Sequence, residues 1–317
     1  MSGAAEAPAE EGRGRILVIK LGALGDFVQA MGPAAAIRAH HPDAEITLLT
    51  SPAFADLAAA APYFDRIWLD DRPGYARPWA LWRLMRRISR AGFSRIYDLQ
   101  TSDRSSLYFH LLRKPRPQWS GIASGASHPH ANPGRDAMHT IDRQAEQLRM
   151  AGIRRVPPSD LSWAGGDVAR FHLPKKFLLL VPGGSPHRPA KRWPAGRFAQ
   201  IATLLARRGV TPVVIGGEAE RALGSMILNA VPQARDLTGK TGFGDIVALG
   251  RLAIHGLGND TGPMHLIAAS GCSITVLYSR ESDPGLTAPR GKRVTILSRP
   301  DLAQLTVEEV AATLPLG

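Results

Sequence analysis

Residues 258–265 read Gly-Asn-Asp-Thr-Gly-Pro-Met-His, and the apolar run Leu266–Ala269 follows directly. The stretch predicts a polar turn that leads into a helix, because its proline suits the first helical position, where no N–H is needed. Thr261 or Gly262 caps this predicted helix, and His265 falls in its first turn. The free N–H groups and positive dipole end of such a helix bind phosphate or pyrophosphate. An ordinary capped helix without a ligand is the alternative that these residues alone leave open.

Strand, turn and helix alternate outward from this stretch in both directions. The predicted strands are residues 15–20, 45–50, 66–69, 95–99, 176–181, 210–215, 236–237, 253–257 and 274–278. The predicted helices are residues 26–40, 53–61, 77–95, 141–151, 195–208, 218–230, 243–251 and 262–270. Short apolar strands that alternate with helices indicate α/β architecture, with parallel sheets covered on both faces. Two doubly wound halves of this kind bind ligands at the carboxyl ends of their strands, in the cleft between the halves.

The length of 317 residues favours two domains over a single core. Residues 1–14 are rich in Ala, Glu, Gly and Pro and lack an apolar signal-peptide core, so we expect a disordered tail and a cytoplasmic protein. Residues 15–165 form the predicted N-terminal domain and residues 166–317 the C-terminal one, joined by a linker near 156–166. Residues 114–138 are full of Pro, Gly, Ser, Asn and His and are predicted to be a loop.

Composition and charge indicate the kind of partner and exclude several classes of protein. The chain carries 39 basic and 27 acidic side chains, a net charge of +12, which indicates an anionic partner. No stretch approaches the roughly 20 apolar residues that a membrane span needs. The single cysteine, Cys272, excludes a disulfide framework and a zinc ribbon, and it is predicted to be a buried core thiol.

Much of the positive charge lies between Arg77 and Arg95. A helical wheel places apolar residues on one face (Leu81, Leu84, Met85, Ile88) and arginines on the other (Arg83, Arg86, Arg87, Arg90). A solvated surface helix and a helix that docks on an anionic membrane surface both fit this pattern. Nucleic-acid binding is not expected, since no aromatic-plus-glycine RNA-binding module is present.

Lys20–Asp26, a glycine-containing turn, follows the first predicted strand and opens the first helix. It lacks the three-glycine spacing of a dinucleotide fingerprint. Asp26 has a structural role available as a cap or first-turn acid. It also has a catalytic role available, because a carboxylate in a cleft takes a proton from a substrate hydroxyl. Spacing alone leaves both roles open.

Two more polar clusters follow strands of the second half. In residues 182–194, two glycines let the backbone approach a ligand, Ser185 offers a hydroxyl, and Lys191 or Arg192 can neutralise phosphate. No Gly-Lys-Ser/Thr follows, so this is not a Walker loop. Glu218, after a Gly-Gly pair, either accepts hydrogen bonds from a ribose or caps the next helix.

The order of these motifs carries a resemblance to a known family. The motifs are Lys-Leu-Gly-Ala-Leu-Gly-Asp, Asp98-Leu99-Gln100, Pro-Gly-Gly-Ser with Lys-Arg-Trp-Pro, Gly-Gly-Glu and Gly-Asn-Asp-Thr-Gly-Pro-Met-His. From Arg15 to Tyr278 the chain strongly resembles glycosyltransferase family 9, best known for ADP-heptose:lipopolysaccharide heptosyltransferases. The last motif and the Lys-x-Trp-Pro element are specific. The resemblance implies a GT-B fold, in which two Rossmann-like domains face across a cleft, with acceptor mainly on the N-terminal half and nucleotide sugar mainly on the C-terminal half.

The resemblance also implies roles for individual residues. Asp26 matches the proposed base, and Lys191 is the second predicted catalytic residue. The predicted donor-binding residues are Gly183, Gly184, Ser185, Lys191, Glu218, Asp260, Thr261, Gly262 and His265. The predicted acceptor-side residues are Gly22, Gly25 and Gln100. Gly22 departs from the family, because many members have Ser or Thr there.

The resemblance implies an inverting, metal-independent transfer of a sugar, expected to be heptose, from a nucleoside diphosphate donor, expected to be ADP-heptose. The expected acceptor is a glycolipid or oligosaccharide of the lipopolysaccharide core or a related glycan. No cofactor or metal is expected. His128 and His130 lie in the predicted loop and His139 directly follows it, a flexible histidine cluster without carboxylates is a poor metal site, and no Asp-x-Asp element is evident. Peripheral contact with the inner face of the inner membrane, through Arg77–Arg95, is left open. The alternatives are a non-catalytic nucleotide-sugar-binding protein and another GT-B enzyme such as an epimerase.

Overall fold

A computed structural model describes residues 14–72, 77–185 and 187–316. The chain forms two compact units that interleave along the sequence. Unit 1 comprises residues 1–21, 34–131 and 147–155, and unit 2 comprises residues 22–33, 132–146 and 156–317. The predicted domain boundary at 165/166 follows chain order and stays a prediction. The predicted tail lies outside the described residues except for Gly14.

Unit 1 is built on a parallel six-stranded sheet. Its strands are β1 (Arg15–Ile19), β2 (Glu45–Thr50), β3 (Arg66–Leu69), β4 (Arg95–Asp98), β5 (Gln118–Gly121) and β6 (His128–Pro129). Their order is β3-β2-β1-β4-β5-β6, so the direction of winding reverses between β1 and β4. Loops that leave these two strands flank a crevice at the carboxyl edge, which is the usual ligand position in such sheets.

Unit 2 repeats the same topology. Its strands are β7 (Phe177–Val181), β8 (Thr211–Val214), β9 (Arg235–Asp236), β10 (His255–Asn259), β11 (Ile274–Tyr278) and β12 (Val294–Ser298). The order β12-β11-β10-β7-β8-β9 puts the reversal between β7 and β10, and all pairings are parallel. The predicted α/β class with two Rossmann-like sheets is confirmed.

Helices connect the strands and cover the sheets. In chain order they are α1 (Leu24–Gln29), α2 (Met31–His40), α3 (Ala55–Ala60), α4 (Pro78–Arg90), α5 (Asp103–Leu111), α6 (Thr140–Met150), α7 (Ala195–Arg207), α8 (Arg221–Ala230), α9 (Phe243–Leu252), α10 (Gly262–Ala269), α11 (Pro284–Thr287) and α12 (Val307–Ala311). Each unit has its own apolar core. Unit 1 packs Leu17, Ile19, Ile96, Tyr108 and Trp119, and unit 2 packs Leu178, Leu180, Trp193, Phe198 and Leu257. Cys272 is buried as predicted, and burial raises the pKa of its thiol to about 11.

The predicted helix at 26–40 is two helices, α1 and α2. Pro33 has no N–H to donate to the carbonyl of Gln29, as a continuous helix would require. The Gln29 carbonyl instead accepts a hydrogen bond from Ser159 Oγ at 3.1 Å, and Gly32 N donates to the same hydroxyl at 3.3 Å. A serine distant in sequence therefore satisfies the break that the proline causes.

The predicted loop at 114–138 is partly wrong, because it contains β5 and β6. These strands are short and polar, and β6 is the edge strand of the sheet, so they lack the apolar runs that reveal central strands. Trp119 anchors β5 in the core at 1% exposure. The strand β12, the sixth of the second sheet, was also missed, since its side chains are largely half-buried or exposed.

Candidate active site

Asn259, at the end of β10, holds the carboxyl edge of the second sheet together. Its side chain is fully buried. Asn259 Oδ1 accepts a hydrogen bond from Trp193 N at 2.9 Å, and its Nδ2 donates to the carbonyls of Pro182 and Gly183 at 2.8 and 3.1 Å. The glycine turn after β7 and the Lys191 segment are thereby fixed beside Asp260. No role for Asn259 is predicted from the sequence, although the residue lies within the motif of residues 258–265.

Lys191 and Asp260 form an ion pair at this edge. Lys191 Nζ lies 2.7 Å from Asp260 Oδ2, and Ser282 Oγ donates to the same oxygen at 2.6 Å. Burial by itself raises the pKa of the Asp260 carboxyl, but the hydrogen bonds from Lys191 and Ser282 outweigh it and hold the pKa below its usual range. Lys191 and Asp260 thus form a hydrogen-bonded ion pair directly before the N-cap residue of α10. Ser282 was not predicted and has no motif of its own.

Helix α10 begins next to this pair. Thr261 is its N-cap residue, but its hydroxyl makes no capping hydrogen bond. The predicted cap position is right, whereas the side chain is left available to another partner. A Cβ on Gly262 would lie 2.7 Å from the Cβ of Leu24, so only glycine lets α1 approach the start of α10 this closely. The first turn of α10 thus presents a hydroxyl and backbone N–H groups.

His265 follows in the same turn and is buried at 6% exposure. Burial lowers its pKa to about 4, although the carboxylates of Asp260 and Asp26 act in the opposite direction. Its imidazole is therefore neutral near pH 7. Its Nδ1 is buried and has no hydrogen-bond partner among the residues that the structure describes. A Cβ on Gly25 would lie 2.8 Å from His265 Nε2, so the ring packs directly against the turn that carries Asp26.

Asp26 lies in the first turn of α1, within unit 2. Ala23 is the N-cap residue of that helix, and no side chain caps it. The Asp26 carboxylate is half-buried and accepts no hydrogen bond from the described part of the chain. Asp26 therefore does not cap the helix, and of the two structural roles it has the second, that of a first-turn acid. The carboxylate is close enough to affect the pKa of His265 and has no internal partner that occupies it.

Gly22 has a conformational reason to depart from Ser or Thr. Its φ is +127°, in the region that L side chains rarely adopt. A hydroxyl-bearing residue at this position would be strained in this turn.

Glu220, rather than Glu218, supports the turn after β8. Glu220 Oε2 accepts a hydrogen bond from Gly217 N at 2.8 Å. A Cβ on Gly183 would lie 2.6 Å from Glu220 Cγ, so this side chain also packs against the turn after β7. Glu218 is exposed and pairs with Arg221 at 2.5 and 2.9 Å, which lowers the pKa of its carboxyl. The alternative that Glu218 caps the helix is therefore wrong. Glu220, two positions later, takes part in the capping hydrogen bond.

Lys191 and its neighbour Arg192 point to different partners. Arg192 Nη2 donates to the carbonyl of Gly184 at 2.5 Å and so braces the glycine turn. Lys191 instead reaches Asp260. Ser185 is exposed, and its carbonyl accepts a hydrogen bond from Arg188 N at 3.1 Å. Lys191 ends a short 3-10 turn (Pro189–Lys191), and Arg192 follows it in extended backbone, so the two side chains leave the chain in different directions.

Sequence and structure comparisons agree on the family. The sequence profile of glycosyltransferase family 9 (heptosyltransferase) matches residues 81–314. The lipopolysaccharide core heptosyltransferase OpsX of Haemophilus influenzae is 21% identical over 89% of this chain and 84% of its own length. Lipooligosaccharide heptosyltransferase 2 of the same organism is 31% identical, but the match covers 36% of this chain and only 34% of that protein. The solved structure of E. coli ADP-heptose lps heptosyltransferase II has a TM-score of 0.74 at 22% identity, covering 94% of this chain and 96% of that one.

The chain belongs to glycosyltransferase family 9. It is therefore a glycosyltransferase, and the likeness to the solved structure confirms that its two Rossmann-like units make a GT-B fold. The family resemblance read from the five motifs is confirmed. The individual site residues stay predictions.

In unit 1, the direction of winding reverses between β1 and β4, and the side chains at this point differ chemically from the Lys191–Asp260 pair of unit 2. Gln100 Oε1 accepts a hydrogen bond from Leu21 N at 2.8 Å, and Lys20 Nζ donates to the carbonyl of Leu99 at 3.1 Å. Asp98 is fully buried, and burial raises its pKa to about 6 against the opposing hydrogen bonds from Thr101 and Gln100. Gln100 thus lies in unit 1, whereas the other two predicted acceptor-side residues, Gly22 and Gly25, belong to unit 2.

The histidines of residues 128–139 are more ordered than a flexible loop would make them. His130 and His139 are 5% and 8% exposed. His139 Nε2 lies 3.0 Å from the carbonyl of Ala288, and burial lowers the pKa of its ring. Within residues 14–72, 77–185 and 187–316, no group of three His, Cys, Asp or Glu side chains is arranged to hold a metal ion.

The basic segment forms α4, with the faces that the sequence predicts. Met85 and Ile88 are buried, and the arginines of the opposite face are exposed. Trp79 and Trp82 are 52% and 58% exposed, and arginine guanidinium groups lie 4.4 and 5.0 Å from their ring centroids. No helix in the described part of the chain is both long and apolar enough to cross a membrane.

Proposed function

We propose that this family 9 enzyme transfers heptose from ADP-heptose to a glycan acceptor of the lipopolysaccharide core, with inversion and without a metal ion. One observation carries the proposal: unit 2 brings together a charged Lys191–Asp260 pair, the open first turn of α10 and the unpartnered carboxylate of Asp26. The first two suit a diphosphate, and the third suits an acceptor hydroxyl. Similarity to the core heptosyltransferase OpsX of H. influenzae and to the ADP-heptose heptosyltransferase II of E. coli supports heptose and ADP-heptose as substrates.

The residues divide the reaction between them. The acceptor oxygen attacks the anomeric carbon, the bond from that carbon to the diphosphate oxygen breaks, and Asp26 takes the proton of the acceptor hydroxyl. Lys191 and the N–H groups at the start of α10 stabilise the negative charge on the departing nucleoside diphosphate. Glu218 lies near the donor ribose in this assignment. His265, neutral and buried, acts as a hydrogen-bonding group rather than as a cation.

A donor panel followed by product analysis tests the proposal. At about 100 times its Kd, ADP-heptose should raise the melting temperature by about 5 °C, more than UDP- or GDP-sugars do. With a lipopolysaccharide-core acceptor, the enzyme should release ADP and form one new glycosidic bond, and excess EDTA should leave the rate unchanged. Donor binding without any turnover would instead identify a nucleotide-sugar-binding protein. Conversion of the donor sugar without acceptor would identify an epimerase, and loss of turnover in EDTA would contradict metal independence.

We also propose that α4 brings the enzyme to the inner face of the inner membrane, where a glycolipid acceptor would be found. Exposed Trp79 and Trp82 beside arginines suit the interface of an anionic bilayer. Wild-type protein should float with vesicles that contain anionic phospholipid and not with neutral ones. The Trp79→Ala/Trp82→Ala variant should lose this binding while keeping turnover on a soluble acceptor. Equal flotation of variant and wild type would contradict the membrane role.

A further inference from the structure

Unit 2 contains a cavity of about 600 Å³ that lies apart from most of the candidate donor residues. Helices α1, α6 and α10 form its walls, together with residues 156–159 and 289–292. Lys191, Asp260 and Thr261 do not line it, whereas His265 does. A volume of this size falls in the range of about 300–1,000 Å³ that is usual for small-molecule sites.

The walls of the cavity are mainly apolar and made of small side chains. Val28 from α1, Ala145 from α6, and Ala268 and Ala269 from α10 face it, and Pro157 closes one side. Small residues from three helices leave a space that larger side chains would fill. The lining therefore suits the apolar body of a ligand.

The rim of the cavity carries an uncompensated positive charge. Arg290 pairs with Asp142 through two hydrogen bonds, at 2.8 and 2.5 Å, so these two charges cancel. Lys292 is exposed and makes no ion pair with a described residue. The side chain of His265 adds no charge near pH 7. The rim thus favours an anionic group at the open end of an apolar pocket.

Hydrogen bonds fix the segment that forms this rim. Gln29 Nε2 donates to the carbonyls of Thr287 and Ala288 at 3.3 and 3.2 Å. The His139 ring also contacts the Ala288 carbonyl, and Thr140 Oγ1 donates to the carbonyl of Leu286 at 3.3 Å. Both α1 and α6 therefore hold the rim in place, and the pocket is formed before any ligand arrives.

We propose that this cavity is a second ligand site, for an amphiphilic anion with a compact apolar body and one carboxylate or phosphate head. The apolar body lies against Ala145, Ala268 and Ala269, and the head lies at Lys292. The site is distinct from the donor site and shares one wall residue, His265, with it. It does not depend on the identity of the transferred sugar.

Fluorescence of anilinonaphthalene sulfonate, an apolar anion of suitable size, measures binding at this cavity. Ala269→Phe and Ala145→Phe fill the space from two different helices, and each should weaken binding by at least about tenfold. Lys292→Ala should weaken it by about threefold, as expected for one exposed charge pair. The matched control, Lys240→Ala, removes an exposed lysine elsewhere in unit 2 and should leave binding unchanged. Melting temperatures within a few degrees of wild type establish that the variants are folded.

Competition identifies the ligand class and separates this site from the donor site. Decanoate and decyl phosphate should displace the dye, decanol should do so more weakly, and decyltrimethylammonium should not. The stronger of the two anions tells whether a carboxylate or a phosphate is preferred. Saturating ADP should leave the dye bound. Displacement by ADP, or equal dye affinity in wild type and in both phenylalanine variants, would overturn the proposal.

Discussion

The fourth strand of each unit leads to an aspartate, fully buried in unit 1 and partly buried in unit 2, and the pKa values of the two carboxyl groups shift in opposite directions. Asp98 ends β4 in a site where burial raises its pKa to about 6. Asp260 directly follows β10, where Lys191 and Ser282 hold its pKa below the usual range despite burial. Strand order is the same in both sheets. Topology therefore supplies the position at the carboxyl edge, and the surrounding residues decide in which direction the pKa of the carboxyl group shifts.

The neighbouring lysines show the same contrast. In unit 1, Lys20 is buried and its ammonium donates to a backbone carbonyl. In unit 2, Lys191 reaches a carboxylate at the mouth of the α10 turn, where an incoming diphosphate would compete for it. At the unit 1 edge, the Lys20 and Gln100 side chains hydrogen-bond to backbone groups, whereas the unit 2 edge carries an ion pair. We expect substitutions at the two edges to have different consequences.

Asp26→Asn should have the largest effect on turnover, because it removes the proposed catalytic base. Transfer should fall by about 10²–10⁴, while donor affinity stays within a few-fold and the fold remains intact. The amide keeps the shape of the side chain but cannot take a proton. Measured turnover and ADP-heptose affinity of the one variant decide the role.

The matched control for that variant is Asp103→Asn, which alters a first-turn acid of α5 in unit 1. Its turnover should be close to wild type. Near-normal turnover of Asp26→Asn itself would leave the base unidentified and would place catalysis elsewhere.

The opposite pKa shifts of Asp98 and Asp260 should appear in the pH dependence of the free energy of unfolding. A raised folded pKa means that Asp98 stabilises the fold when protonated and that this contribution is lost as pH rises from about 4 through about 6. Relative to wild type, Asp98→Asn should therefore gain about 3 kcal/mol of unfolding free energy between pH 4 and pH 8, at about 1.36 kcal/mol per pKa unit. Urea unfolding across this range measures the change, and the constant cost of the amide cancels in the difference.

Asp260→Asn should have the reverse sign. Its lowered pKa stabilises the fold above the unfolded value near 3.8 and is lost as pH falls through the folded pKa. The variant should therefore lose stability relative to wild type as pH rises through that region. Equal slopes for the two variants would erase the contrast between the edges.

Lys191→Ala should weaken ADP binding by about 10- to 100-fold, the usual effect of losing a charged hydrogen bond. Arg192→Ala is the matched control, since Arg192 braces the Gly184 carbonyl rather than facing Asp260. Its effect on ADP affinity should be several-fold smaller. Calorimetric titration of both variants compares them, and the reverse ranking would assign the diphosphate to Arg192.

The sequence predicted central features of the fold and site better than peripheral ones, for physical reasons. Buried strands such as β1 and β7 are apolar runs, and their pattern is local. The short polar strand β5 depends on pairing with β4 and β6, which no local pattern reveals. Likewise, Asn259 acquires its role only when Pro182 and Trp193 come within reach.

Residues 22–33 belong to unit 2 because of contacts between distant parts of the chain, which a local sequence pattern cannot reveal either. Gly25 and Gly262 permit close packing between α1 and α10, and both contacts join segments far apart in the chain. Chain order therefore suggested an N-terminal location for Asp26, whereas packing groups it with His265.

Gln100→Ala should have the smallest effect on donor binding, and it should lower stability slightly. The substitution removes the acceptor of one hydrogen bond, from Leu21 N, and should cost about 1 kcal/mol of unfolding free energy. ADP affinity should remain at the wild-type value, because all the residues that we assign to donor binding lie in unit 2. Gln100→Glu retains an acceptor and should recover most of the lost stability, which isolates the hydrogen bond from the loss of side-chain volume. An ADP affinity that falls in Gln100→Ala as far as it does in Lys191→Ala would show that both edges bind the donor. The distinction between a structural edge and a chemical edge would then be wrong.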